Sequence, residues 1–369
     1  MTLAMYIGLA VFNLGLIVVA NIYIPKRLCS LFGIGKAKYH ILAFTLVTIL
    51  GIWGIMSAAR VSNVLVLNLF RVSIVWLGLA FYLFLFLLIY ELVRLVVGIN
   101  KKQAGWVVII LSVIFVAYGT WNARDYKVYD VEIPVKGLVE EVTIFHAPDI
   151  HLGPFRGKKA LQRIVEDINR LSPDFVLLNG DLVDGMDGLT PDTLSLLNQI
   201  RHSVYFTGGN HDEYVNLEQL EKLLIENGVA VLKNDVIRRN GIQLVGLNYM
   251  NADDQVYDAH ASSRTETIKS VLPGLAIDSE LPTVVVHHSP VGIEYMNQVG
   301  AVLVLSGHTH AGQFFPATLI ALIQFPYLKG KYHYKDTTVY VSQGIGTFGP
   351  PMRVGTEGEA TLVKLVPSQ

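Results

Sequence analysis

The spacing of apolar residues divides the chain into two unlike parts. Before residue 124, long uncharged runs alternate with short basic turns, whereas beyond it short apolar runs alternate with helix-like patterns. Residues 2–24 carry no charge and can cross a bilayer core, which takes about 20 helical residues. Residues 41–59, 72–90 and 104–123 repeat the pattern, which predicts a four-helix transmembrane region over 1–123. No basic stretch precedes the first run and three more follow it, which argues against a cleaved signal peptide.

Residues 124–140 read as a linker and first strand, and 141–369 as a second, globular domain. Five β-branched runs, at 142–145, 175–178, 204–206, 284–286 and 302–305, are short enough for buried strands. Between them, Leu161, Ile164, Val165 and Ile168 recur at the helical period, predicting a helix over 158–171 that Pro173 stops. Further helices are expected from Thr190-Pro191, over 217–226 and near 265–271. Strands are expected at 229–232, 236–238, 242–247, 339–341 and 361–366. This alternation predicts an α/β domain with strands buried between helical layers.

Hydrophobic residues make up 52% of the chain, and the excess lies in its first third. The net charge of −1 and the lack of a basic stripe argue against a nucleic-acid polymer as partner. The single cysteine, Cys29, excludes intrachain disulfides and thiolate metal clusters. Lys26, Arg27, Lys36 and Lys38 follow the first run, and Arg94, Lys101 and Lys102 separate the third from the fourth. Only Arg60 and Arg71 lie between the second and third. Basic loops stay cytoplasmic, so the globular domain is expected outside the cell (inner) membrane. Trp106, Tyr118, Trp121 and Tyr126 suit an interfacial aromatic belt or ordinary apolar packing. Glu91 and Arg94 sit at a run's end, so the spans read as an anchor or a surface for lipids, and not as a conduit.

Each of the five β-branched runs ends in a polar cluster: Asp149-Ile150-His151, Gly180-Asp181-Leu182-Val183-Asp184, Gly209-Asn210-His211-Asp212, His288-Ser289-Pro290 and Gly307-His308-Thr309-His310. In α/β folds sites form outside the carboxyl ends of strands. Carboxylate, amide and neutral imidazole together suit borderline divalent ions. Asp181 can bridge two ions, and Asp184 is expected to orient a ligand instead of binding. His211 can donate a proton or stabilise developing charge, with Asp212 expected to hold its ring. Gly208-Gly209-Asn210 also fits a plain turn. His287 and His288 are adjacent, and His288, lying past the strand, is chosen as the inward one.

Over residues 142–366 this ordered set resembles the calcineurin-like metallophosphoesterases, and Gly307–Gln313 and Tyr340–Gly349 resemble their membrane-associated branch. That branch includes transmembrane proteins with a metallophosphoesterase domain and UDP-diacylglucosamine pyrophosphatase-like enzymes. The resemblance implies a four-layer α-β-β-α sandwich holding two divalent ions from Mn, Fe, Zn or Ni, with Mn favoured. It also implies that Asp149, His151, Asp181 and His310 hold one ion, and that Asp181, Asn210, His288 and His308 hold the other. His211 and Asp212 would serve catalysis, with a metal-bridging hydroxide as nucleophile. Gly185 stands where many members carry arginine, which weakens transfer of a protein-phosphatase substrate class. Ala147-Pro148 replaces the usual small polar residue before Asp149, which should alter the loop and not the ligand set.

Gly344–Gly349 fits a dinucleotide fingerprint, but Pro350-Pro351 prevents the helix that such a motif opens. The loop is expected near the metals, its N–H groups facing phosphate, with Arg353 either adding a charged contact or solvated. Phe314, Phe315 and residues 317–327, with Lys329 and Lys331 beside them, are expected to form a lip that dips into the bilayer. A core-packed hairpin is the alternative. The expected activity is hydrolysis of a phosphodiester, pyrophosphate or phosphomonoester, on a membrane lipid or lipid-linked headgroup. Anchored hydrolysis of soluble nucleotides or sugar phosphates, or a catalytically silent membrane sensor, are the competing readings.

Overall fold

The structure, a computed structural model, describes residues 3–58, 63–255, 260, 262 and 264–368. Thr2, Ala59 and Arg60, which enter the expectations above, lie outside the described residues. Two compact units result: Leu3–Arg124 with Gly349–Val354, and Asp125–Phe348 with Gly355–Gln369.

The first unit holds four helices, α1 (Leu3–Phe32), α2 (Ala37–Ala58), α3 (Val64–Val93) and α4 (Lys101–Asn122). All four are long and apolar enough to cross a membrane. Asn63 and Asn100 start α3 and α4 by accepting backbone N–H groups with their side chains. Both α1 and α3 outrun the expected spans. Lys and Arg are good helix formers, so the helices continue through these charges and Lys26, Arg27 and Arg71 lie inside helices and not in loops. Arg27 pairs with Glu91 Oε1 across α1 and α3, the Tyr23 hydroxyl donates to the same oxygen at 3.2 Å, and Arg94 takes Oε2. Ile24, Leu31, Leu87 and Val108 form the inner seam, while Leu42, Ile49, Trp53, Ile110 and Trp121 face outward. An apolar exterior of this kind suits lipid as solvent. Tyr126 does not join an aromatic belt: it is buried at the start of a strand, and its hydroxyl donates to Asp167 at 2.7 Å.

The second unit has strands β1 (Tyr126–Lys136), β2 (Val142–Pro148), β3 (Phe175–Asn179), β4 (Ser203–Thr207), β5 (Val229–Val231), β6 (Asp235–Arg239), β7 (Ile242–Gly246), β8 (Thr283–Val286), β9 (Ala301–Ser306), β10 (Gly330–Tyr334), β11 (Thr337–Val341) and β12 (Gly358–Ser368). They form two six-stranded sheets, ordered β1-β12-β2-β3-β4-β5 and β10-β11-β9-β8-β7-β6. Helices are α5 (Lys158–Leu171), α6 (Pro191–Leu194), α7 (Asn210–Val215), α8 (Leu217–Glu226), α9 (Ile268–Val271), α10 (Ile293–Gln298) and α11 (Ala317–Gln324).

Alternation along the strands builds the layers. Ile144, Val284, Val286, Leu303 and Leu305 point between the sheets. Phe145 packs outward with Leu161, Ile164 and Leu220 of α5 and α8. On the opposite side Val285 and Val304 meet Ile268 and Met296 of α9 and α10. The result is an α-β-β-α sandwich with three apolar layers. Strands β2 to β5 run parallel, as do β7, β8, β9 and β11. All five polar clusters therefore leave carboxyl ends of parallel strands.

Candidate metal centre

Asp149 and His151 follow β2, Asp181 follows β3, Asn210 opens α7 after β4, and His288 and His308 follow β8 and β9. Four of these positions, and His310 after β9, turn through left-handed backbone, with φ of 54° at Asp149, 52° at His151, 52° at Asp181, 70° at His308 and 47° at His310. Such conformations cost free energy and persist where the surroundings over-determine them, as at functional sites. Gly180, at φ 72°, lies so close to the His288 ring that a Cβ would collide with it. At Gly344, φ 77°, a Cβ would strike the Asp149 side chain.

The side chains converge. Asp149 Oδ1 lies 3.3 Å from His310 Nε2, which is 3.2 Å from His151 Nε2. His288 Nε2 lies 3.2 Å from Asp181 Oδ2 and 3.8 Å from Asp149 Oδ1, and His151 Nε2 is 3.7 Å from the same Asp181 oxygen. Within two triads, Asp149-His151-His310 and Asp181-His288-His308, the ligand atoms fall within 4.8 Å of one another. All six are buried, as is Asn210.

Backbone groups aim these side chains. The His308 N–H donates to both Asp149 oxygens, at 2.9 and 3.1 Å, and the His211 N–H donates to Asp181 Oδ1 at 2.8 Å. His288 Nδ1 lies 2.9 Å from the Asn179 carbonyl, so Nδ1 carries a proton and Nε2 is the ring atom turned towards the cradle. Asn179 is itself fixed by Thr207 Oγ1, donating at 3.0 Å, and by its own bond to Leu305 O at 3.1 Å. His287 points elsewhere, with Nδ1 donating to Ser289 O at 2.7 Å and its ring stacked on Tyr249.

Electrostatics shows what this donor set favours. Burial alone would raise Asp181, yet His288, His211 and His151 hold its carboxyl well below the usual range. Burial likewise opposes ionisation of Asp149, but His310 and His288 keep it low. Burial would lower His288, but the Asp181 and Asp149 carboxylates push it up to about 10. Positive charge is thus favoured at the centre of the cradle. Both side-chain atoms of Asn210 are buried without a hydrogen-bond partner among the described residues. Buried polar atoms are otherwise almost always satisfied, so an amide left open in the same pocket as Asp181 and His308 fits a metal ligand set. The residues present therefore fit a pair of divalent ions.

The expected pairing of His211 with Asp212 is corrected. His211 Nδ1 bonds Asp184 Oδ1 at 2.6 Å, while Asp212 accepts the Gly209 N–H at 2.9 Å and the Val183 N–H at 3.1 Å. Asp212 caps α7, which starts where a plain turn was the alternative, so its carboxylate is committed to backbone. Burial would lower His211, but Asp181 and Asp184 push it up to about 9. Burial and the Asp181 charge push Asp212 up to about 7.

Two further expectations change. In the Gly344–Gly349 loop the N–H groups of Gly344, Ile345, Gly346 and Phe348 already donate to Ser342 Oγ, Pro148 O, Asp149 O and Gln313 Oε1. They buttress the Asp149 turn and are not held free for phosphate. Arg353 is buried at 0% exposure and not solvated; its backbone N–H donates to Gly119 O at 2.9 Å.

A cavity of about 190 Å³ opens over the cradle, lined by Asp181, Asn210, His211, His308 and His310 and walled by Phe348 and α11. His260 also lines it, with its ring centroid 5.3 Å from that of His308. Sequence reasoning missed His260, because it stands in no cluster and follows no strand. It missed Asn179 too, whose only signal was its place as the last strand residue before Gly180.

Comparison with known proteins follows the same lines. The model of the calcineurin-like phosphoesterase family matches residues 142–312. A transmembrane protein with metallophosphoesterase domain from Danio rerio is 35% identical over 274 residues, 70% of this chain and 61% of that one. An uncharacterised metallophosphoesterase from Helicobacter pylori is 32% identical over 273 residues, 73% of this chain and 71% of its own length. One from Campylobacter jejuni is 26% identical over 378 residues, covering 98% of this chain and 97% of that one. The chain thus spans less than two thirds of the Danio rerio relative.

Proposed function

Because this chain belongs to the calcineurin-like metallophosphoesterase family, we propose that it is a membrane-anchored hydrolase of lipid or lipid-linked phosphoesters. The observation that supports the hydrolase reading is the pair of ligand triads sharing one buried cradle, with Asn210 left open beside it. Asp149, His151, Asp181 and His310 would hold one divalent ion, and Asp181, Asn210, His288 and His308 a second, with Mn favoured. When bound, two such ions polarise a phosphoryl oxygen and lower the pKa of an attacking water.

The chain's own groups do the rest. His211 lines the cavity and is held by Asp184, so it can hand a proton to a leaving oxygen or stabilise charge there. Phe348, its ring centroid 5.0 Å from that of His310, and α11 limit water around the cradle. Four apolar helices keep the domain within reach of a bilayer, where lipid headgroups are at high effective concentration. Lys26, Arg27, Lys36, Lys38, Arg94, Lys101 and Lys102 gather at one set of helix ends and connections, which supports an extracytoplasmic domain at the cell membrane.

Full-length protein reconstituted with Mn should hydrolyse an aryl phosphodiester, and Asp181→Ala or His211→Ala should abolish turnover. No turnover with Mn, Zn or Fe would reject the enzyme reading in favour of a silent sensor. Turnover of nucleotides but not lipid extracts would reject the lipid reading alone. An impermeant thiol reagent should label a cysteine added to the domain of intact cells; protection would reverse the orientation.

A further inference from the structure

We infer that α11 is an interfacial helix: its outer face lies among the acyl chains of a bilayer, while its inner face walls the cavity above the cradle. Four large apolar residues, Leu319, Ile320, Leu322 and Ile323, are exposed on a helix of eight residues, Ile323 at 90%. Phe315, just before the helix, is exposed as well. Only Ala321 is buried. So short a helix is marginal in water unless packing supports it, and contiguous exposed apolar surface of this kind marks a binding face. The core-packed hairpin is therefore not what this segment forms.

The occupant follows from the rest of the chain. Four membrane-length helices in the same chain make a bilayer the apolar phase this protein would meet. Lys329 and Lys331 are exposed just beyond α11, where they complement anionic headgroups. Interfacial helices sit about 5–10 Å deep with this combination of apolar and basic residues.

The helix is also tied to the site. Gln313, shortly before it, exchanges hydrogen bonds with the Phe348 backbone, donating at 2.9 Å and accepting at 3.0 Å. Thr309, between the two ligand histidines, donates to Leu328 O at 2.6 Å on the far side of the lip. Ile320, Ala321, Gln324 and Phe325 line the cavity that His211 and His308 also line. A lipid could therefore keep its acyl chain along α11 while its phosphoester meets the cradle. That last statement rests on the lipid reading above; insertion of the helix does not.

The test uses full-length protein in phospholipid nanodiscs, carrying Ile323→Cys on a Cys29→Ala background and labelled with a polarity-sensitive fluorophore. Emission should be blue-shifted and quenched by doxyl-labelled lipid, while the same label at Val139→Cys, also exposed, should report water. Equal, water-like emission at both positions would overturn the inference whatever the enzyme does. In parallel, the double change Leu322→Ser and Ile323→Ser should lower turnover of a bilayer-embedded phosphoester at least tenfold. It should leave hydrolysis of a soluble aryl diester within twofold. Equal loss on both substrates would overturn the wall; absence of soluble-diester turnover in the unmodified protein would count against the hydrolase reading and leave the fluorescence result to decide insertion.

Discussion

The imidazole of His211 is held by Asp184, 2.6 Å from Nδ1, and not by Asp212, its neighbour in sequence. The two carboxylates exchange their expected duties because α7 begins at Asn210. Asp212 then falls at the third position of the helix, where a carboxylate satisfies backbone N–H groups. Asp184, on the turn after β3, is left to face the ring. The same substitution at both positions separates these duties. Asp184→Asn should lower kcat by about tenfold to a hundredfold, a fraction of what proton transfer can contribute. It should also move the basic limb of the pH profile to lower pH, since a charge that raises His211 is removed. Asp212→Asn should move that limb less, because Asp212 contributes less than Asp184 to the rise of His211, and should destabilise the protein by about 1–3 kcal/mol, the cost of a lost buried acceptor. Rate profiles and thermal unfolding of the two variants check this.

The same pair links pH to stability. His211 in the folded chain rises from 6.5 to about 9, so its contribution is complete below pH 6.5 and is lost as pH rises through about 9. In chelator-treated protein, the Tm difference between wild type and Asp184→Asn should be largest near pH 6 and shrink above pH 9. A difference that grows with pH would contradict the pairing.

Gly344 should matter more than its place in a glycine-rich loop implies. Alanine there must adopt a left-handed backbone, which costs about 1–2 kcal/mol, and its Cβ would press on the Asp149 side chain. Gly344→Ala should therefore reduce both Tm and metal affinity. Gly157→Ala, with no atom near the added Cβ, should leave metal affinity unchanged. Calorimetric metal titration and thermal unfolding of both variants read this directly.

Glu91 holds the ends of α1 and α3 together through Arg27, Arg94 and Tyr23. Removing it leaves Arg27, which is mostly buried, without its counter-charge, whereas Arg94 is about half exposed. Glu91→Ala should lower the Tm of the detergent-solubilised protein clearly more than Arg94→Ala, because exposed ion pairs contribute little.

What could be read from the sequence followed the periodic signals. Apolar runs located every strand that carries a polar cluster, and the 3.6-residue repeat located α5. The ends of α1 and α3 were misjudged because a charged residue was taken to end a span, although Lys26, Arg27 and Arg71 all fit within helices. The short strand β10 and helices α7 and α10 have too few residues for a period to register. At the site, residue types were legible and orientation was not. Whether Asp184 or Asp212 meets His211 depends on where α7 starts, and the Asn179 carbonyl that sets the His288 tautomer is a backbone group that any residue would supply. The left-handed turns at Asp149, His151, Asp181, His308 and His310 have no local sequence signal, because they are imposed by the packing around them.

Metal stoichiometry tests the central claim most directly. Full-length protein reconstituted with Mn, desalted and analysed by elemental mass spectrometry should carry close to two ions per chain. Asp181→Ala, which removes the carboxylate proposed to serve both ions, should carry less than one. Wild-type protein that retains no Mn, Zn or Fe under these conditions, or an Asp181→Ala variant that retains the full complement, would contradict the account.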